Sequence, residues 1–198
     1  MQILLGSKSP RRQQILKEMG YSFSVVHQDI DEIYPEDLPL KDIPLYLAQK
    51  KARALRQLIT KPDEILLTCD TVVLCEAKCI EKPKDEADAI RMLKSLSGKA
   101  HSVISAVSLF GLKAEYNFSD ETVVHFEELN DFEIEFYVKN FKPYDKAGSY
   151  AIQEWIGINK ISKIEGSYYN VMGLPAHLLY KYLEDYKKIE NSVNNEMK

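Results

Sequence analysis

The 198-residue chain is 45% hydrophobic and 28% charged, with a formal net charge of −4. That balance suits a soluble globular protein with a real core and excludes extensive disorder and the broad basic face that nucleic-acid binding requires. No window approaches the roughly 20 apolar residues that span a bilayer, so no membrane partner is expected. Three cysteines bunched at Cys69, Cys75 and Cys79 suit buried, reduced thiols and a cytoplasmic setting better than a disulfide framework or a zinc site.

Gln2–Leu5 reads as a strand, followed by a helix capped at Ser9-Pro10 and closed by Gly20. Ser22–His27 alternates as a second strand, and the acidic, proline-bearing stretch Asp29–Pro39 is a loop. Leu47, Ala48, Lys51, Ala52, Leu55 and Leu58 repeat at helical spacing up to Pro62. Ile65–Leu74 is then a near-continuous apolar run, as in a strand covered on both faces, broken by Thr68, Asp70 and Thr71. Lys78–Ile80 predicts a returning strand, and Asp85 caps a helix with Ala89, Met92, Leu93 and Leu96 inward. Two alternating strands around Val103–Leu109 and Thr122–Phe126 form a hairpin turning near Gly111–Ala114. Asn130 and Glu133 form a capping box for a helix carrying Phe132, Phe136 and Tyr137. A loop-rich stretch over Asp145–Pro175 leads to a final helix with Leu178, Leu179, Tyr182 and Leu183 inward. After Tyr186 the apolar stripe is lost, which predicts a frayed tail over 187–198. The whole is an α/β protein with a mixed sheet, one domain over 1–186.

Five groups of residues carry chemistry. Ser7, Ser9, Arg11 and Arg12 lie between a strand and a helix N-terminus, where free N–H groups attract anions, so they predict a phosphate cradle. A plain N-cap with solvated arginines is the competing reading. Asp70-Thr71 is placed at the end of a buried strand, where a carboxylate is costly to desolvate unless it binds a cation, a metal or a catalytic water. A phosphatase that forms an aspartyl-phosphate needs a second acid two residues on, and Val72 stands there. The acidic pair Asp31-Glu32, close to Glu36 and Asp37, offers oxygen ligands that with Asp70 suit Mg2+ or Mn2+, although acidic loops are usually just solvated. Lys51 falls on the apolar face of its helix, and Lys82 follows in a second basic stretch. The segments Asp145–Gln153 and Gly166–Pro175, dense in glycine, serine, tyrosine and amides, read either as a polar pocket in which Gln153 pairs with a nucleobase edge or as a packed loop. His27, His101, His125 and His177 have no metal spacing.

Together the blocks Ser7-Lys8-Ser9-Pro10-Arg11-Arg12, Asp70-Thr71, Lys82-Pro83-Lys84-Asp85, Leu96-Ser97-Gly98 through Val103, and Asp145-Lys146-Ala147-Gly148 through Gln153 resemble the Maf family of nucleoside triphosphate pyrophosphatases. The resemblance implies a Maf/ITPase-like α/β fold, a mixed twisted sheet with flanking helices and two lobes around a nucleotide cleft. It implies hydrolysis of a nucleoside triphosphate to monophosphate and pyrophosphate, with Asp70 accepting the proton. It assigns Arg11, Thr71 and Gln153 to a subgroup preferring dTTP and UTP, with modified pyrimidine nucleotides as further substrates. Ser7, Ser9, Arg12, Lys51 and Lys82 then bind phosphates, and Glu32 with Asp70 holds a divalent cation. Gly6, Glu81 and Ser105 depart from the alanine, glycine and threonine common in the family. A homodimer is the prior for such an enzyme. The competing class is a nucleotide-binding regulatory module acting on septum formation without turnover.

Overall fold

A computed structural model describes the backbone of residues 1–196 and the side chains through Ile189. Among the described residues seven strands form one mixed sheet: β1 (Gln2–Leu5), β2 (Phe23–Val25), β3 (Glu64–Cys75), β4 (Lys78–Ile80), β5 (Ala100–Gly111), β6 (Glu115–Phe126) and β7 (Ile161–Glu165). Their order is β2-β1-β3-β5-β6-β7, with β4 alongside β3. β1 runs parallel to β2 and β3 because α1 (Pro10–Glu18) and α2 (Ile43–Leu55) provide the crossovers; the remaining pairs are antiparallel.

The helices form where the sequence places their start signals. Asp85 accepts from the Asp88 N–H at the head of α3 (Glu86–Leu96), and Asn130 with Glu133 completes a capping box on α4 (Asp131–Phe141). Ser9 differs from expectation: its side chain makes no capping bond, and its own N–H donates to Ser7 Oγ at 3.3 Å. Burial is uneven along α4. Ile134, Tyr137 and Val138 are buried, whereas Phe132 is 77% exposed and Phe136 packs on Trp155 at the surface. Leu58 lies in a short 3-10 turn after α2 and is exposed. Two short helices, α5 (Trp155–Lys160) and α6 (Tyr168–Val171), precede α7 (Ala176–Glu196). The tail expected to fray over 187–198 falls mostly outside the described side chains; the backbone of α7 continues through Glu196.

Side-chain alternation along the three 12-residue strands explains the core. One face of β3 presents Leu66, Thr68, Asp70 and Val72 to α2, where Leu47, Ala52 and Leu55 are buried. The other face presents Ile65, Leu67 and Cys69 to a cluster with α1 and α7, then Val73 and Cys75 to a second cluster with α3 and α4. Between the two clusters the strands turn polar together, because Thr71 pairs with Ser105 and Ser105 with Asp120. This polar seam across three strands separates the two clusters.

Candidate active site

The sheet is open beside the seam. β1 pairs with β3 only over Glu64–Leu67 and β4 only over Val73–Cys75, so residues 68–72 have no strand on that edge. Asp70 and Thr71 therefore lie mid-strand, not at the strand's end as expected, yet beyond the carboxyl end of β1. They point to opposite faces, and the missing neighbour lets one cavity of about 950 Å³ reach both.

On the α2 face, Thr68 Oγ1 donates to the Ala48 carbonyl at 2.7 Å and fixes the helix on the strand. One turn on, Lys51 Nζ donates to Asp70 Oδ1 at 2.6 Å and to Glu32 Oε1 at 2.7 Å. Lys82 approaches the other Glu32 oxygen at 3.8 Å. Two carboxylates thus converge on one cationic position. Burial pushes the Asp70 carboxyl above the usual carboxylate range, against the pull of Lys51 and Arg12. Burial also acts to raise Glu32, but its hydrogen bond to Lys51 and the charges of Lys51, Lys82 and Arg12 hold it below that range. The environment separates the two carboxylates into a better base, Asp70, and a persistent anion, Glu32. Asp31 is taken by Lys50, which also donates to the Ile33 carbonyl, and Glu36 and Asp37 are exposed away from the cavity.

On the other face Arg12 ties the first loop to the seam. Its Nε donates to the Gly173 carbonyl at 2.8 Å, Nη1 to Ser7 Oγ at 3.2 Å and Nη2 to Thr71 Oγ1 at 3.0 Å. Two of its five N–H groups remain for phosphate oxygens. Ser7 Oγ already accepts from Arg12 and from Ser9 N–H, so what it can offer a ligand is its O–H, the right polarity for phosphate. Gly173 holds φ +107°, and an added Cβ there would approach Thr71 Oγ1 to 3.4 Å.

Arg11, Thr71 and Gln153 all line the cavity. Arg11 pairs with Asp145 at 2.9 Å. The Gln153 Oε1 is buried without a hydrogen-bond partner among the described residues. Lys146, read from sequence only as part of a polar loop, is buried and joins Asp145 at 2.8 Å to Glu154 at 3.5 Å. Glu154 in turn accepts from the Tyr137 hydroxyl, which itself accepts from Ala151 N–H at 3.1 Å. Burial and the Glu154 carboxylate hold that phenol well above its ordinary value.

The model of the family described as Maf-like protein matches residues 2–186. This chain belongs to that family. Among curated relatives, the Maf-like chain is 46% identical over 186 residues to a dTTP/UTP pyrophosphatase of Porphyromonas gingivalis (strain ATCC BAA-308 / W83), covering 93% of this chain and 94% of the relative. A dTTP/UTP pyrophosphatase of Phocaeicola vulgatus is 47% identical over 183 residues, covering 92% and 94%. A solved structure, that of the Staphylococcus aureus Ham1 protein, aligns with a TM-score of 0.44 and 12% identity over 64% of this chain and 72% of that one.

Ser7, Ser9, Glu32, Lys51 and Lys82 also line the cavity of this Maf-like protein. Among the described residues no three or more His, Cys, Asp or Glu side chains converge as a metal cage. The two-carboxylate set of Glu32 and Asp70 nevertheless fits Mg2+, which is usually held by one or two carboxylates with substrate phosphates and water. Cys69 and Cys75 are buried and free, and burial pushes the Cys69 thiol up to about 11, which disfavours its thiolate. Among the described residues no helix is long and apolar enough to cross a membrane.

Proposed function

We propose that this Maf-like protein hydrolyses dTTP and UTP to the nucleoside monophosphate and pyrophosphate; its relatives are named dTTP/UTP pyrophosphatases. The observation that carries the reading is Asp70: a buried carboxylate raised towards basicity, facing a cavity that also holds the three candidate specificity residues. Water attacks the α-phosphorus, a bond from the water oxygen to phosphorus forms, and the bond to the bridging α–β oxygen breaks. Asp70 accepts the water's proton. Lys51, shared with Glu32, holds the Asp70 carboxylate in a fixed orientation. Arg12, Lys51, Lys82, the Ser7 hydroxyl and the Ser9 segment at the head of α1 stabilise charge developing on the departing pyrophosphate. Arg11, Thr71 and Gln153 contact the nucleoside. Glu32 and Asp70 would hold Mg2+ or Mn2+, which when bound neutralises phosphate charge and acidifies the attacking water.

The test incubates purified protein and Mg2+ with dTTP, UTP, dATP and 7-methyl-GTP and identifies the products. Monophosphate with pyrophosphate, fastest from dTTP and UTP, is the expected result. Orthophosphate with diphosphate would overturn the bond assignment. Tight binding without turnover would return the protein to the regulatory class.

A further inference from the structure

Thr71 is held in a hydrogen-bond chain whose direction is fixed from both ends. Arginine has no acceptor, so Arg12 Nη2 donates to Thr71 Oγ1 at 3.0 Å. At the far end the Asn170 main-chain carbonyl has no hydrogen, so the Ser105 hydroxyl gives its single hydrogen there, at 2.8 Å. Ser105 Oγ can then only accept from Thr71 Oγ1, 2.8 Å away. The Thr71 hydrogen is committed inward and one lone pair already takes Arg12. What Thr71 still presents to the cavity is one acceptor lone pair.

Asn170 keeps this polarity from reversing. Fully buried, it accepts from Ser105 N–H through Oδ1 at 3.2 Å and donates through Nδ2 to the Val103 carbonyl at 3.0 Å and to Thr122 Oγ1 at 2.9 Å. Its side chain thereby pins its own carbonyl against Ser105. Neither Ser105 nor Asn170 lines the cavity, so both act through Thr71.

We propose that Ser105 and Asn170 are positioning residues for specificity: they hold Thr71 as an obligate hydrogen-bond acceptor, so the site favours a nucleobase offering a ring N–H over one offering a ring lone pair. Uracil and thymine carry a hydrogen at N3, and cytosine carries a lone pair there. The inference rests on the nucleotide reading above and deepens it.

The experiment measures kcat/KM for UTP and CTP, with thermal unfolding alongside, in wild type, S105T, S105A, T71V and the S105A/T71V double variant. Wild type prefers UTP. S105A frees the Thr71 hydrogen to donate, and the UTP/CTP ratio narrows about tenfold, the scale of one mispaired buried hydrogen bond. S105T keeps both the hydroxyl and the ratio. In the T71V background S105A adds nothing to selectivity, because the residue through which it acts is gone. An unmoved ratio in S105A, or an equal change with and without the Thr71 hydroxyl, overturns the proposal. S105C, with a weak acceptor of similar size, shifts the ratio in the same direction and keeps the test decisive should S105A fail to fold. Wild-type protein that releases pyrophosphate from neither nucleotide defeats the nucleotide reading itself; turnover with a fixed ratio defeats only this inference.

Discussion

Replacing Asp70 with asparagine separates catalysis from stability. The amide keeps the shape of the side chain but cannot take a proton from water, so turnover falls by at least ~100-fold, the lower range for a general base. The fold is expected to gain. Lys51 keeps Glu32 at 2.7 Å, so no ammonium is left unpaired, and the substitution removes a carboxylate that burial disfavours. Relief of such a strained active-site group yields about 0.5–2 kcal/mol, and each kcal/mol raises Tm by about 2–4 °C in a chain of this size. The effect depends on pH in a definite direction. Asp70 binds its proton more tightly folded than unfolded, so its ionisation costs stability as pH rises through the folded value. The advantage of Asp70→Asn is therefore present at neutral pH and disappears below the unfolded value near 3.8. Pyrophosphate release and thermal unfolding at pH 7.5 and at acid pH measure both arms. Near-normal turnover would remove Asp70 as the base, and a Tm lowered by more than about 5 °C would make it a structural residue.

Gly173→Ala places a side chain at φ +107° and should cost about 1–3 kcal/mol in chemical denaturation. Because the Gly173 carbonyl holds Arg12, kcat/KM should fall with it. His101 is packed between Phe126 and Tyr150, and burial lowers it from 6.5 to about 4. The unfolded chain binds the proton first, so wild-type stability is whole above pH 6.5 and declines by about 3 kcal/mol as pH falls to 4. His101→Phe should flatten that part of the stability curve; parallel curves for the two proteins would refute the assignment. Chelation should abolish turnover, with Mg2+ restoring it, while leaving Tm nearly unchanged, since a cation held by two carboxylates with water and substrate phosphate adds little to the free protein. A Tm that follows metal removal would point to a structural ion instead.

Much of the architecture was legible in one dimension because it rests on local rules. The Asp85 cap, the Asn130–Glu133 box, the hairpin turning after Gly111 and the apolar run of β3 each follow from neighbouring residues. Errors came where tertiary contacts override local preference. Ser9 has the residue type of a cap, yet the loop turns its N–H onto Ser7, and Asp70-Thr71, expected at a strand's end, lies mid-strand because β3 continues to Cys75 along β5. The candidate site divides in the same way. The basic and acidic residues and the polar break at Asp70-Thr71 stand out in sequence because charge and desolvation mark them wherever they occur.

Their partnerships do not. Lys51 lies 19 residues from both Glu32 and Asp70, and Arg12 meets Gly173 from 161 residues away. The sequence marks Asn170 only as part of a polar segment and Ser105 only as a departure from the family's threonine, and nothing in it joins them until the sheet register sets Ser105 opposite Thr71. The sequence by itself determined which side chains carry charge, which segments bury apolar surface and where one carboxylate breaks a buried strand. Only the tertiary structure decided what faces that carboxylate and which way the Thr71 hydroxyl points. Hydrogen-bond direction depends on donors and acceptors that only folding brings within 3 Å.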